Sequence, residues 1–185
     1  MEGPKPPPGP GSKLTEVKSN LGARTPSEWV FFWGLVPALL LAVYALPQPV
    51  KDAWFILDTS SPWQVPAWLL SSYTHSQLYP HLAGNLVVYF ITLLMIFAFE
   101  DRRRRLRLVA AWSFLAVPLV SSLLTIFFWG FLGMPTRGQG FSAINGAFLA
   151  YAMFIFVVWG VQEAFAVFDR PELFRGTRIR LAVLR

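Results

Sequence analysis

The sequence predicts an all-α protein, a polytopic bundle of membrane-spanning helices, and three observations carry that expectation. Hydrophobic residues make up 55% of the 185-residue chain, which has 8 Trp and 17 Phe. The mean hydropathy is +0.48, a composition of integral membrane proteins rather than of water-soluble domains. Four stretches reach or approach the roughly 20 apolar residues that a helix needs to cross about 30 Å of hydrocarbon. Finally, the basic residues alternate between successive loops, as the positive-inside bias requires of four spans.

Taken in chain order, residues 1–28 are rich in Pro, Gly and charge, with Pro6 to Pro10 the densest run. No apolar core of a cleavable signal peptide is present there, so the segment reads as a disordered cytoplasmic tail. Residues 29–185 then form a transmembrane domain. Its first span is Trp29 to Leu46, short at 18 residues and interrupted by Pro37. The external segment from Pro47 to Pro80 carries Trp54, Phe55, Trp63, Trp68 and Tyr73 among Asp52, Asp58, Pro62 and Pro66. Aromatic residues at that density sit well at the headgroup level, and a short amphipathic helix is expected around Val65 to Leu70. The second span is His81 to Phe99, the third Leu108 to Met134 with a kink at Pro118, and the fourth Phe141 to Gln162.

Sidedness follows from the cations. Lys5, Lys13, Lys18 and Arg24 precede the first span, Arg102 to Arg105 and Arg107 separate the second from the third, and Arg170, Arg175, Arg178, Arg180 and Arg185 follow the fourth. The other two loops hold only Lys51 and Arg137. Both termini are therefore expected in the cytoplasm of a multi-pass protein of the cell membrane. A formal charge of +6 does not point to nucleic acid, because arginines beside apolar stretches suit anionic headgroups better than a duplex. The absence of Cys excludes disulfides and thiolate chemistry, and 2 His leave little material for a zinc site, so no cofactor is expected.

Polar residues stand where the bilayer should have none. His81 and Asn85 open the second span, and Gly140-Phe141-Ser142-Ala143 opens the fourth. Burying such groups unpaired costs several kcal/mol, which makes them a functional-site hypothesis. The topology brings both sets to the outer side. His81 and Asn85, four apart, share a helix face. Ala83, Gly84, Ala143, Gly146 and Ala147 permit close helix approach. The residues alone leave two readings open: a serine-based site, or a helix cap at Ser142 beside an interhelical hydrogen bond.

Tyr73-Thr74-His75, followed by Leu78-Tyr79-Pro80-His81-Leu82-Ala83-Gly84-Asn85, resembles the second-helix signature of the rhomboid intramembrane serine proteases. Glu100-Asp101-Arg102 looks like that family's acidic-basic turn, and Gly140-Phe141-Ser142-Ala143 is similar to its Gly-x-Ser-Gly motif. The resemblance covers roughly residues 29 to 163 and implies a rhomboid-like fold with four predicted spans of a six-span core. Residues 29–185 would then be an incomplete rhomboid-like domain. The resemblance further implies Ser142 as nucleophile and His81 and Asn85 as oxyanion-stabilising side chains, with the Ser142 N–H as a further donor. Gly140 would allow close backbone approach, and His75 would support the loop. The substrate class implied is a membrane-anchored protein cut at or just outside its transmembrane helix.

The departures are specific. The family's base is a histidine on the sixth span, whereas both histidines here lie at or before the start of the second. Ala143 replaces a glycine, Gly146 stands where many relatives have a tyrosine, and His75 is one residue further from His81 than usual. Arg178 to Arg185 turns apolar again, which fits the start of a fifth span in a longer chain or an amphipathic segment on the membrane. Two functions follow: an intramembrane serine endopeptidase, incomplete in this chain, or an inactive rhomboid-like protein that binds transmembrane clients. Its partners would be transmembrane substrates or clients and the lipid bilayer, not nucleic acid.

Overall fold

The computed structural model describes residues 12–168, and the side chains of residues 15–161. Four helices are long and apolar enough to cross a bilayer: Pro26–Tyr44, Leu78–Phe99, Arg103–Phe131 and Ser142–Val161, the last running on to Phe168. The chain is thus a helix-rich, multi-pass membrane protein, with exposed apolar side chains such as Val87, Ile91, Phe127 and Phe154 along the spans. The expected segment after Arg178 lies outside the described residues.

The first span starts three residues before the expected Trp29, and the reason is local. Thr25 caps it, with Oγ1 accepting the Glu28 N–H at 3.3 Å while Glu28 Oε2 accepts the Thr25 N–H at 3.1 Å. Pro26 occupies the first helical position, where its missing N–H costs nothing. Glu28 is thereby drawn inside, 5% exposed, and its Oε1 accepts from Arg107 Nε at 3.3 Å and Nη2 at 3.2 Å. The third span likewise starts early, at Arg103, so most of the arginine run is helical rather than a loop.

Residues 12–22 form a helix, where the sequence predicts part of a disordered tail. The physical reason is the end of the second span, whose last carbonyls lack helical partners. Asn20 Nδ2 donates to the Ala98 carbonyl at 2.9 Å, and Arg24 Nη2 donates to the carbonyls of Phe97, at 3.1 Å, and Glu100. The Glu100 side chain, 1% exposed, accepts the Arg102 N–H at 2.9 Å, Arg105 Nη1 at 3.5 Å and the Tyr151 hydroxyl of the fourth span.

Prolines inside spans create the same problem, and tyrosines answer it. Before Pro37 the helix widens over Val30–Leu35, so that the Val36 N–H reaches the carbonyl of Phe31, five residues back. Continuing that spacing, Pro37 would serve Phe32 but has no N–H. Tyr89 of the second span donates its hydroxyl to that Phe32 carbonyl at 2.9 Å. The helix also widens before Pro118, over Trp112–Ala116. In the widened turn before Pro118 the Phe114 carbonyl accepts the Tyr73 hydroxyl. In hydrocarbon no water could satisfy these carbonyls.

The second span packs most closely on the fourth, around Tyr89, Leu93, Phe97, Phe141, Ile144 and Phe148, joined by Phe32 and Leu40 of the first. At the opposite end from the arginine run, Gln48–Trp54 and Val65–Leu70 are short helices, the latter where the sequence predicts it. A two-residue ribbon, absent from the expected all-helical picture, pairs Leu57–Asp58 antiparallel with Arg137–Gly138. It ties the segment before the second span to the one before the fourth, with Arg137 within 3.4 Å of Asp58 and 3.6 Å of Asp52.

Tyr89→Phe should lower the unfolding free energy in micelles by about 1–3 kcal/mol, the cost of an unsatisfied buried carbonyl. Adding Pro37→Ala, which restores an N–H, should recover part of that loss. A double variant no more stable than Tyr89→Phe would show that the carbonyl is not what Tyr89 serves.

Candidate functional site

The loop that enters the fourth span runs from the ribbon through Gln139 and Gly140. The Gly140 N–H donates to the Ser71 carbonyl at 2.9 Å, and its φ of +127° is backbone that an L side chain rarely adopts. Space gives a second reason for glycine, since a Cβ there would lie 3.2 Å from His81 Nε2. The close approach expected at Gly140 is therefore a contact with His81.

Ser142 is the first residue of the fourth helix, and it is exposed. It lines a groove of about 550 Å³ whose other walls include His81, Gly84, Asn85 and Val88. The structure thus brings Ser142, His81 and Asn85 to one concavity between the second and fourth spans. Ser142 also borders a smaller pocket of about 180 Å³, rich in the hydroxyls of Ser71, Ser72, Ser121, Ser122 and Thr125. Ser71 Oγ and Ser122 Oγ lie 3.4 Å apart. Among the described residues, Ser142 Oγ has no hydrogen bond to His75 or His81.

His75 is 1% exposed and acts as a buried acceptor. Its Nε2 accepts the backbone N–H of Phe141 at 3.2 Å, so that nitrogen must be unprotonated. The same nitrogen faces Asn85 Nδ2 at 3.1 Å, which fixes the Asn85 amide with nitrogen toward His75 and oxygen away. Asn145 completes the set: its Nδ2 donates to Asn85 Oδ1 at 3.0 Å and to the Asn85 carbonyl at 2.8 Å. Two consequences follow for chemistry. His75 is not free to take a proton from Ser142, and one N–H of the Asn85 amide remains to donate elsewhere. The rings of His75 and His81 meet edge to face at 5.0 Å.

Burial, with the nearby His81 adding to it, pushes the His75 imidazole down from its ordinary 6.5 to about 4. The acceptor state that holds Phe141 is thus kept across the neutral range. Sequence reasoning missed Asn145, although a strongly polar side chain three residues into an apolar span is itself a signal. The Thr25-x-x-Glu28 box was equally legible as a helix start. No group of three or more His, Cys, Asp or Glu that could hold a metal ion occurs among the described residues.

No family model matches the chain, and no curated protein or solved structure matches it either.

The His75 geometry sets a pH dependence. An unfolded histidine takes up its proton near 6.5 and the folded one near 4, so between these values the unfolded state binds more protons. The His75 contribution to stability is therefore intact above about pH 6.5 and is lost as the pH falls towards 4. The Tm of the wild type should fall more steeply across that window than that of His75→Gln, whose amide oxygen can still accept from Phe141. Parallel profiles would contradict the buried neutral imidazole.

Proposed function

We propose that this chain carries the nucleophile and oxyanion half of a rhomboid-like intramembrane serine endopeptidase acting on membrane-anchored proteins. The observation that supports it most is the convergence of Ser142, His81 and Asn85 on one groove between two spans, joined to the sequence resemblance. In this reading Ser142 Oγ attacks the scissile carbonyl and forms an acyl-enzyme, which water then hydrolyses. The Ser142 N–H at the helix start, the spare Asn85 amide N–H and the His81 ring donate to the developing oxyanion. The hydroxyl-rich pocket beside Ser142 is polar and large enough to hold the hydrolytic water. A substrate helix would lie along the groove, whose rim at Val88 is apolar and exposed. The arginine-rich end of the bundle faces the cytoplasm, as the basic residues favour.

The attack needs a base. His75 is engaged by Phe141 and Asn85, and in this reading His81 lies on the oxyanion side, so neither histidine serves as that base. That same engagement of His75 favours a second reading, in which the rhomboid-like fold binds transmembrane clients without cutting them and Ser142 merely opens its helix.

The two readings part on the reactivity of Ser142. In native membranes a serine-directed fluorophosphonate should label the wild-type chain and not Ser142→Ala, and the same substitution should abolish cleavage of a transmembrane substrate without impairing insertion. Absence of labelling in a folded, inserted protein would leave the client-binding reading. Asn85→Ala should lower turnover by at most about 10²–10³-fold, the cost of one oxyanion donor; unchanged turnover would remove Asn85 from the mechanism.

A further inference from the structure

Away from Ser142, a cleft of about 590 Å³ opens between the first and third spans. Glu28 and Arg107 stand at one end of it, and Phe31, Ala110, Ala111 and Phe114 line its length. From Arg107 to Leu115 the third span rises about 12 Å along the cleft. Beyond its charged end the walls of Phe31, Phe32, Ala110, Ala111, Phe114 and Leu115 are apolar, which suits a hydrocarbon chain.

Beside the Glu28–Arg107 pair at its charged end stand two further arginines of the third span. Arg103 and Arg104 precede Arg107 by four and three residues, so all three head the helix face that continues into the cleft. All are exposed. Arg103 donates through Nη2 to the Ala23 carbonyl. Arg107 directs Nε and Nη2 to the single oxygen Glu28 Oε1, while its side chain stays 62% exposed. Glu28 does not cancel this field: it is one buried carboxylate against three guanidinium groups, and its Oε2 is already held by the Thr25 N–H. A cationic rim at a span end, opening onto an apolar channel directed into the membrane, matches an amphiphile with an anionic head.

We propose that this cleft binds one anionic glycerophospholipid, with its phosphate at Arg104 and Arg107 and an acyl chain along Ala110, Ala111 and Phe114. The site is separate from the groove at Ser142 and does not depend on the protease reading. Bound there, the lipid would fill the gap between the first and third spans.

The test is native mass spectrometry of the full chain, released from neutral detergent after exposure to phosphatidylglycerol or to phosphatidylcholine with identical acyl chains. One phosphatidylglycerol should be retained in preference, and Arg104→Gln should weaken its retention about fivefold, the worth of one interfacial arginine. Ala111→Leu, at an exposed position on the channel wall, should reduce retention to the phosphatidylcholine level with the arginines intact. Equal retention of the two lipids would overturn the proposal. So would undiminished retention by Ala111→Leu, which would place the lipid on the arginine run alone, or displacement by excess inorganic phosphate. The Tm of both variants, unchanged from wild type, excludes misfolding as the cause.

Discussion

The Phe141 N–H donating to His75 Nε2 is the bond on which the rest of the arrangement depends. It reaches from the segment before the second span to the residue before the fourth, and it forces a neutral imidazole with an unprotonated Nε2. That state orients the Asn85 amide, and the Asn85 amide orients Asn145. Gly140 can then lie against His81, and Ser142 starts its helix on the groove between the spans. In a low-dielectric setting each of these groups would be costly alone, and each is nearly satisfied by the others. Among the described residues the His75 Nδ1 and Asn145 Oδ1 atoms are buried without partners, so the network beside Ser142 is held slightly short of saturation.

The same accounting governs the bundle elsewhere. Pro37 releases the Phe32 carbonyl inside an apolar span and Tyr89 supplies the missing donor, while Tyr73 donates to the Phe114 carbonyl in the widened turn before Pro118. Tyr89 thereby fixes the second span against the first at a defined height, and Tyr73 fixes the segment before the second span against the third, which apolar packing in lipid does weakly. At the far end the carbonyls that finish the second span are taken by Asn20 and Arg24, and Glu100 gathers Arg102, Arg105 and Tyr151. The spans are thus pinned at both ends and at their two prolines by polar groups, with Phe–Tyr–Phe packing between. Tyr89 meets Phe141 and Phe148 edge-on at 5.6 and 6.0 Å.

The spans were legible in the sequence because about 20 apolar residues have few other uses, and the helix at Val65–Leu70 because its prolines and aromatics punctuate it. Helix starts were less legible. Apolar counting placed the first span at Trp29 and the third at Leu108, whereas Thr25 capping and the arginine run extend them to Pro26 and Arg103. Residues 12–22 looked disordered because composition cannot show that an adjoining helix end offers carbonyls for Asn20 and Arg24. The short ribbon at Leu57 and Arg137 escaped notice because its pairing spans two separate loops. At the site, the residue types and their common side were readable; that His75 accepts rather than donates, and that Asn145 joins it, required the distances.

The most direct test of this network is a double-mutant cycle on Asn85→Ala and Asn145→Ala, read as unfolding free energy in micelles. If the two amides hold the second and fourth spans together, the double variant should cost less than the sum of the two singles by about 0.6 kcal/mol, the average for interhelical hydrogen bonds in membranes, and by no more than about 1.7 kcal/mol. Costs that add to within about 0.3 kcal/mol would mean that the two residues act independently. The placement of Ser142 by that network would then be wrong.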